Sequence, residues 1–189
     1  MKIKQVVKFI LNSFKPLIMI FLLIFFDRKY LNGRHFENGF AGIRWAIRAI
    51  WTRNILRLAP TLPFPTALNV IISNPENLEF HSDDLNNFQS PGTYFQNFKG
   101  KIYIGRGTYI APNVGIITAN HDFDALNGHS EGKDVRIGEN SWVGMNAIIL
   151  PGVTLGPKSI VAAGAVVNKS YPEGNIVLAG IPAKPVKKL

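Results

Sequence analysis

Cysteine is absent from the 189 residues. Disulfides, thiolate metal sites and a cysteine nucleophile are thereby excluded, and a reducing compartment fits. Acidic side chains are scarce in the first sixty residues, where Asp27 and Glu37 stand against eleven Lys and Arg: Lys2, Lys4, Lys8, Lys15, Arg28, Lys29, Arg34, Arg44, Arg48, Arg53 and Arg57. That imbalance equals the +9 net charge of the whole chain, so the remaining 129 residues are neutral overall. Basic charge confined to an apolar, aromatic-rich stretch argues against a nucleic-acid partner and for an anionic membrane surface. A long apolar run is also missing. Leu17 to Phe26 falls well short of the roughly 20 residues that a spanning helix needs, and extending it backward meets Pro16, Lys15, Ser13, Asn12 and Lys8. An interfacial or re-entrant helix is expected there. Phe25-Phe26-Asp27-Arg28 lacks the small residues of a signal-peptide cleavage site.

Gly42 to Leu58 reads as a second helix, with Ile43, Ala46, Ile47 and Ile50 on one face, Arg44 and Arg48 opposite, and Arg53 and Arg57 rotating back toward the apolar side. Pro60, Pro63 and Pro65 then break helical structure. We therefore divide the chain into a helical membrane-associating segment (1–60), a linker with irregular early coils (61–101), a repeat domain (102–175) and a C-terminal tail (176–189).

The repeat has a period of six. Aliphatic residues recur at Ile104, Ile110 and Ile116, and again at Ile137, Val143, Ile149, Leu155, Val161 and Val167. Four places after them stand mostly small residues, among them Thr108, Val114, Ser141, Ala147, Val153, Ser159 and Ala165. Strands alternate every two residues and helices every 3.6, so neither explains this spacing. A triangular solenoid does: each hexapeptide makes one strand and one corner, three make an eighteen-residue coil, and stacked coils bury a continuous aliphatic core. The 21-residue step from Ile116 to Ile137 breaks the period, which predicts a loop over 120–134 containing His121 and His129. Loops on rigid scaffolds commonly carry function.

Several stretches resemble the hexapeptide acyltransferase superfamily, in particular the galactoside, maltose and polysaccharide O-acetyltransferases. They are Ile110-Ala111-Pro112-Asn113-Val114, Ala119-Asn120-His121-Asp122, Ile137-Gly138-Glu139-Asn140-Ser141-Trp142-Val143-Gly144, Leu150-Pro151-Gly152-Val153, Ala163-Gly164-Ala165-Val166-Val167 and Gly180-Ile181-Pro182-Ala183-Lys184. The likeness covers roughly residues 70–189. It implies an all-β solenoid, a left-handed parallel β-helix, assembled as a homotrimer with active sites between neighbouring subunits.

The resemblance makes His121 the general base. A neutral imidazole would take a sugar hydroxyl proton as the oxygen attacks the acetyl-CoA thioester, then protonate the departing thiolate, with no acyl-enzyme. For acceptor contacts the candidates are Asn97, Asp122 and His129, with Asp122 or Asp124 also able to orient His121. Trp142 matches a family aromatic at the acetyl-CoA cleft. Met145, Ala163 and Asn168 lie on matching coil faces, and Lys169, Lys184 and Lys187 match cationic positions near the nucleotide. Acetyl-CoA is the expected co-substrate, with no metal. The expected acceptor is a surface-polysaccharide or lipid-linked saccharide at the cytoplasmic face of a bacterial inner membrane. Amino-sugar N-acetylation uses the same fold and donor. A three-histidine zinc enzyme is disfavoured because His81, His121 and His129 are not compactly spaced, and a non-catalytic scaffold is disfavoured by His121 within its motif.

Overall fold

In a computed structural model of the chain, residues 3–189 are described, with side chains from residue 12 onward. Lys2 and the Lys4 and Lys8 side chains lie outside the described residues. Two compact units are present, 1–66 and 67–189.

In the first unit, helix α1 (Ile3–Leu22) runs through Pro16 and ends inside the apolar run that begins at Leu17. No helix among the described residues is long and apolar enough to cross a membrane. Two further helices follow, α2 (Arg34–Glu37) and α3 (Ala41–Ala49), and α3 continues as a π-helix over Ile50–Ile55. Gly42 lets α2 and α3 meet: a Cβ there would lie 2.8 Å from the buried Phe36 ring. The buried side of α3 is Gly42, Ile43, Ala46, Ala49, Ile50 and Arg53. Ile47, expected on that face, is instead exposed, because Ala49 takes the inward position between Ala46 and Ile50. Tyr30 and Phe64 pack edge to face at 4.9 Å.

The second unit is built from three parallel faces. The first stacks Ile71–Ile72, Tyr94–Gln96, Gly115–Ile117, Ile148–Ile149 and Val166–Val167. The second stacks Leu78–Glu79, Ile102–Ile104, Val135–Ile137 and Thr154–Leu155, and the third Tyr109–Ile110, Trp142–Val143, Ser159–Val161 and Ile176–Ala179. All nine periodic aliphatic residues are buried between the faces. The small residues do more than permit tight corners. Thr108 Oγ1 accepts the Ser141 N–H at 3.3 Å, and Ser141 Oγ accepts the Ser159 N–H at 3.1 Å, so hydroxyls tie one coil to the next. Gly105 is required by close approach, since a Cβ there would come within 2.4 Å of the Glu139 nitrogen.

Paired residues are 18 apart in Trp142–Ile160 and 33 apart in Tyr103–Arg136. Fifteen residues therefore leave the solenoid between Ile117 and Val135. The early coils are longer, 23 residues from Ile71 to Tyr94 and 24 from Leu78 to Ile102, because 3-10 turns at Pro75–Asn77 and Ser82–Gln89 are inserted. Asn87 caps the lower edge of the third face, accepting from Ile110 N–H and donating to the Thr108 carbonyl, each at 2.9 Å. At the upper end, the segment expected to be a tail forms a hairpin: Ile176–Ala179 extends the third face, and Lys184–Lys188 pairs antiparallel with it.

Candidate active site

The emergent loop is rooted at the corner joining the first face to the second. Gln96, at the end of its strand, anchors that root. Its carboxamide oxygen accepts from Thr118 N–H and Ala119 N–H, each at 3.1 Å, while its nitrogen donates to the Ala119 carbonyl at 3.0 Å. Asn120 and Ser130 close the neck, with the Asn120 carbonyl accepting from Ser130 N–H at 2.9 Å and Ser130 Oγ accepting from Asn120 N–H at 3.2 Å. His121 and His129 then form an antiparallel bridge.

That bridge sets the imidazoles against each other, with centroids 4.5 Å apart and 30° between ring planes. Phe98 packs against His129 in a T-shaped arrangement at 4.8 Å. Nδ1 of His121 lies 2.8 Å from the Leu126 carbonyl oxygen. A carbonyl only accepts, so Nδ1 carries the hydrogen and neutral His121 presents Nε2 as a bare acceptor. A cleft of about 400 Å³ opens here, lined by His121, Asp122, Phe123, Glu131, Lys133 and Pro151 among others. Carboxylates, an ammonium and an imidazole around one open cleft suit a polyhydroxylated ligand.

The orienting role considered for Asp122 or Asp124 belongs instead to the Leu126 carbonyl. Asp122 accepts the Asp124 N–H at 3.0 Å and stabilises its own turn, although it still lines the cleft. Asn97 is corrected outright. It is fully buried, its oxygen accepting the Asn74 N–H at 2.9 Å and its nitrogen donating to the Asn74 carbonyl at 2.6 Å, so both ends of the amide are engaged in joining early coils. His81, the other histidine of this unit, accepts the Asp83 N–H as a helix cap at 3.1 Å.

The expected acetyl-CoA residues divide between two corners of the prism. Asn168 and Lys169 follow the first-face strand Val166–Val167, on the same corner as the loop and one coil above Leu150-Pro151. Both are exposed. Trp142, Met145 and Ala163 lie along the third face and its corner with the first. Trp142 pairs with Tyr109 below and Ile160 above, and the Met145 carbonyl accepts Gly164 N–H at 2.8 Å beside Ala163. Trp142 and Met145 are about half exposed, an apolar strip of the kind a pantetheine arm can cover. Lys184 pairs with Ala179 near that corner, while Lys187, opposite Val177, stands farther along the hairpin. The Trp142 corner and the His121 corner are thus separate edges within one chain.

Gln96, Ser130, Phe98 and the Leu126 carbonyl escaped sequence reasoning. Gln96 sits in the early coils, whose period is irregular, and a backbone carbonyl leaves no mark in residue type. Among the described residues no cluster of three or more His, Asp or Glu could hold a metal ion.

Residues 134–169 match the family described as bacterial transferase hexapeptide (six repeats). A Saccharomyces cerevisiae protein named as an acetyltransferase, without established activity, is 38% identical over 130 residues, covering 64% of each chain. The crystal structure of a maltose O-acetyltransferase from Clostridium difficile 630 is 34% identical, covers 64% of this chain and 66% of that one, and has a TM-score of 0.50. A galactoside acetyltransferase in complex with coenzyme A is 27% identical, covers 63% of this chain and 58% of that one, and has a TM-score of 0.51. The chain spans 44% to 64% of the length of the first curated relatives it matches. The repeat family and the solved neighbours agree with the three-faced solenoid and support its left-handed winding.

Proposed function

We propose that this chain, a hexapeptide-repeat protein of the acyltransferase kind, transfers acetyl from acetyl-CoA to a saccharide hydroxyl with His121 as general base. The observation that carries this reading is the 2.8 Å contact from His121 Nδ1 to the Leu126 carbonyl, which leaves Nε2 as the acceptor on an imidazole that lines a polar cleft. The donor supplies an activated acetyl thioester. The acceptor hydroxyl gives its proton to Nε2 as its oxygen bonds to the thioester carbon. The carbon–sulfur bond then breaks, and the proton passes from Nε2 to the thiolate, restoring neutral His121.

Trp142, Met145 and Ala163 are the residues that fit the pantetheine arm, and Lys169, Lys184 and Lys187 those that fit the phosphates. Because the His121 and Trp142 corners are separate edges of one chain, a complete site needs the Trp142 edge of a second copy, in keeping with a homotrimer. Phe123 is 93% and Leu126 69% exposed at the loop tip, and half-exposed Tyr109 and Trp142 adjoin on the third face. Both apolar surfaces need cover.

The N-terminal unit places the enzyme at an anionic membrane surface, beside a lipid-linked or surface-polysaccharide acceptor. Its excess positive charge and the exposed Phe14, Leu17, Ile20, Phe21 and Ile24 of the α1 region support this. The test is acetyl-CoA turnover against a panel of lipid-linked and soluble saccharides. Products that survive mild base point to amides and favour N-acetylation of an amino sugar, whereas base-labile products support the ester. No turnover combined with no CoA binding rejects the acyltransferase reading.

A further inference from the structure

Acetyl transfer makes no use of residues 53–61 in the N-terminal unit, yet three unusual features meet there. The π-helix over Ile50–Ile55 is one; such turns are rare and often lie at functional positions. Arg57 is another. Its φ of +51° lies in the left-handed region, uncommon for a residue with a Cβ and maintained only where the surroundings enforce it. The third is an open cleft of about 700 Å³, with Arg53, Asn54, Arg57, Pro60 and Thr61 in its lining and no Asp or Glu there.

Arg53 is pre-organised. It is buried, with Nη1 donating to the Pro60 carbonyl at 2.7 Å and Nε to the Thr66 carbonyl at 3.3 Å. Burial pulls its pKa below the ordinary arginine value, and an anion in the cleft would offset that desolvation. Arg57 is exposed at the same cleft. Ile47, Trp51 and Ile55 outside it and Leu58 at its lining are each more than half exposed and recur about every four residues. A cationic cleft beside an exposed apolar strip complements a molecule with an anionic head and an apolar body. A free anion would leave the strip in water, whereas a bilayer satisfies both parts.

We propose that the Arg53–Arg57 cleft binds the phosphate headgroup of an anionic membrane lipid, with the Ile47–Leu58 strip buried among the acyl chains. Two arginines match the double charge of a terminal phosphomonoester better than a singly charged phosphodiester. This rests on the membrane placement proposed above and specifies its ligand.

The experiment is flotation of the full-length protein on vesicles of phosphatidylcholine alone, or with phosphatidic acid or phosphatidylglycerol at matched surface charge. Wild type, Arg57→Gln and Arg48→Gln are compared after checking that their melting temperatures agree. Arg48 is exposed on α3 and absent from the cleft lining, so it controls for loss of one charge. The expected result is about tenfold tighter binding to phosphatidic acid than to phosphatidylglycerol, abolished in Arg57→Gln. Arg48→Gln should weaken both by a similar factor, about fivefold at most, as one surface charge does. Equal losses in the two variants, or no headgroup preference in wild type, overturn the cleft while leaving membrane placement standing. Failure of wild type to float on any anionic vesicle overturns the placement and the lipid ligand together. Stabilisation by millimolar inorganic phosphate that depends on Arg57, with no headgroup preference on vesicles, assigns the cleft to a soluble anion and also overturns the proposal.

Discussion

His121 Nδ1 and the Leu126 carbonyl oxygen stand 2.8 Å apart across a turn of the emergent loop, and this contact fixes which imidazole nitrogen can take a proton. A backbone carbonyl here holds the ring as a carboxylate often does elsewhere, without adding charge. His121→Ala is expected to lower acetyl transfer by about a hundredfold to ten-thousandfold, the usual worth of a positioned base. His121→Asn should be similarly impaired, since an amide does not accept the proton. Turnover measured beside CoA affinity checks both, and affinity should stay near wild type.

Gln96 ties the loop root through three hydrogen bonds to Thr118 and Ala119. Net contributions of about 1 kcal/mol per bond predict that Gln96→Ala costs about 2–3 kcal/mol of stability. Turnover should fall at least tenfold because His121 follows the root by two residues. Thermal melting and turnover on the same preparation test this. Unchanged turnover in a destabilised variant would confine Gln96 to a structural role.

The separation of the His121 and Trp142 edges predicts a homotrimer with sites between subunits. Light scattering of the purified protein should give three times the 21.0 kDa chain mass. Mixing inactive His121→Ala with an inactive Trp142→Ala variant should restore activity, because a mixed trimer contains some sites with neither substitution. A fully active monomer refutes the shared site.

Removal of residues 1–66 takes away one of the two compact units and the excess positive charge. The truncated protein should no longer float with anionic vesicles, while its CoA affinity persists. Equal flotation of both forms would remove the membrane role from the N-terminal unit.

The solenoid was legible in the sequence because its core is periodic. Aliphatic residues stand at six-residue intervals from Ile104 to Ile116 and again from Ile137 to Val167, and the geometry of three strands per coil follows from that spacing. The loop was legible for the same reason, as a 21-residue step in a six-residue rhythm. Regular repetition leaves a local mark, and so did the charge imbalance of the first sixty residues.

Contacts between chemically unremarkable groups left no such mark. Asn97 occupied a plausible acceptor-binding position, but its amide is turned inward onto Asn74 because inserted 3-10 turns reset the register of the early coils. Ile47 fitted the apolar face of its helix, yet Ala49 lies inward in its place. The partner that orients His121 is a backbone carbonyl, a group every residue possesses, so only the path of the loop could select Leu126. Residue type and period determined the solenoid and the place of the loop that holds His121. Tertiary structure alone decided which nitrogen of the His121 imidazole is engaged, because hydrogen-bond direction depends on where the chain returns.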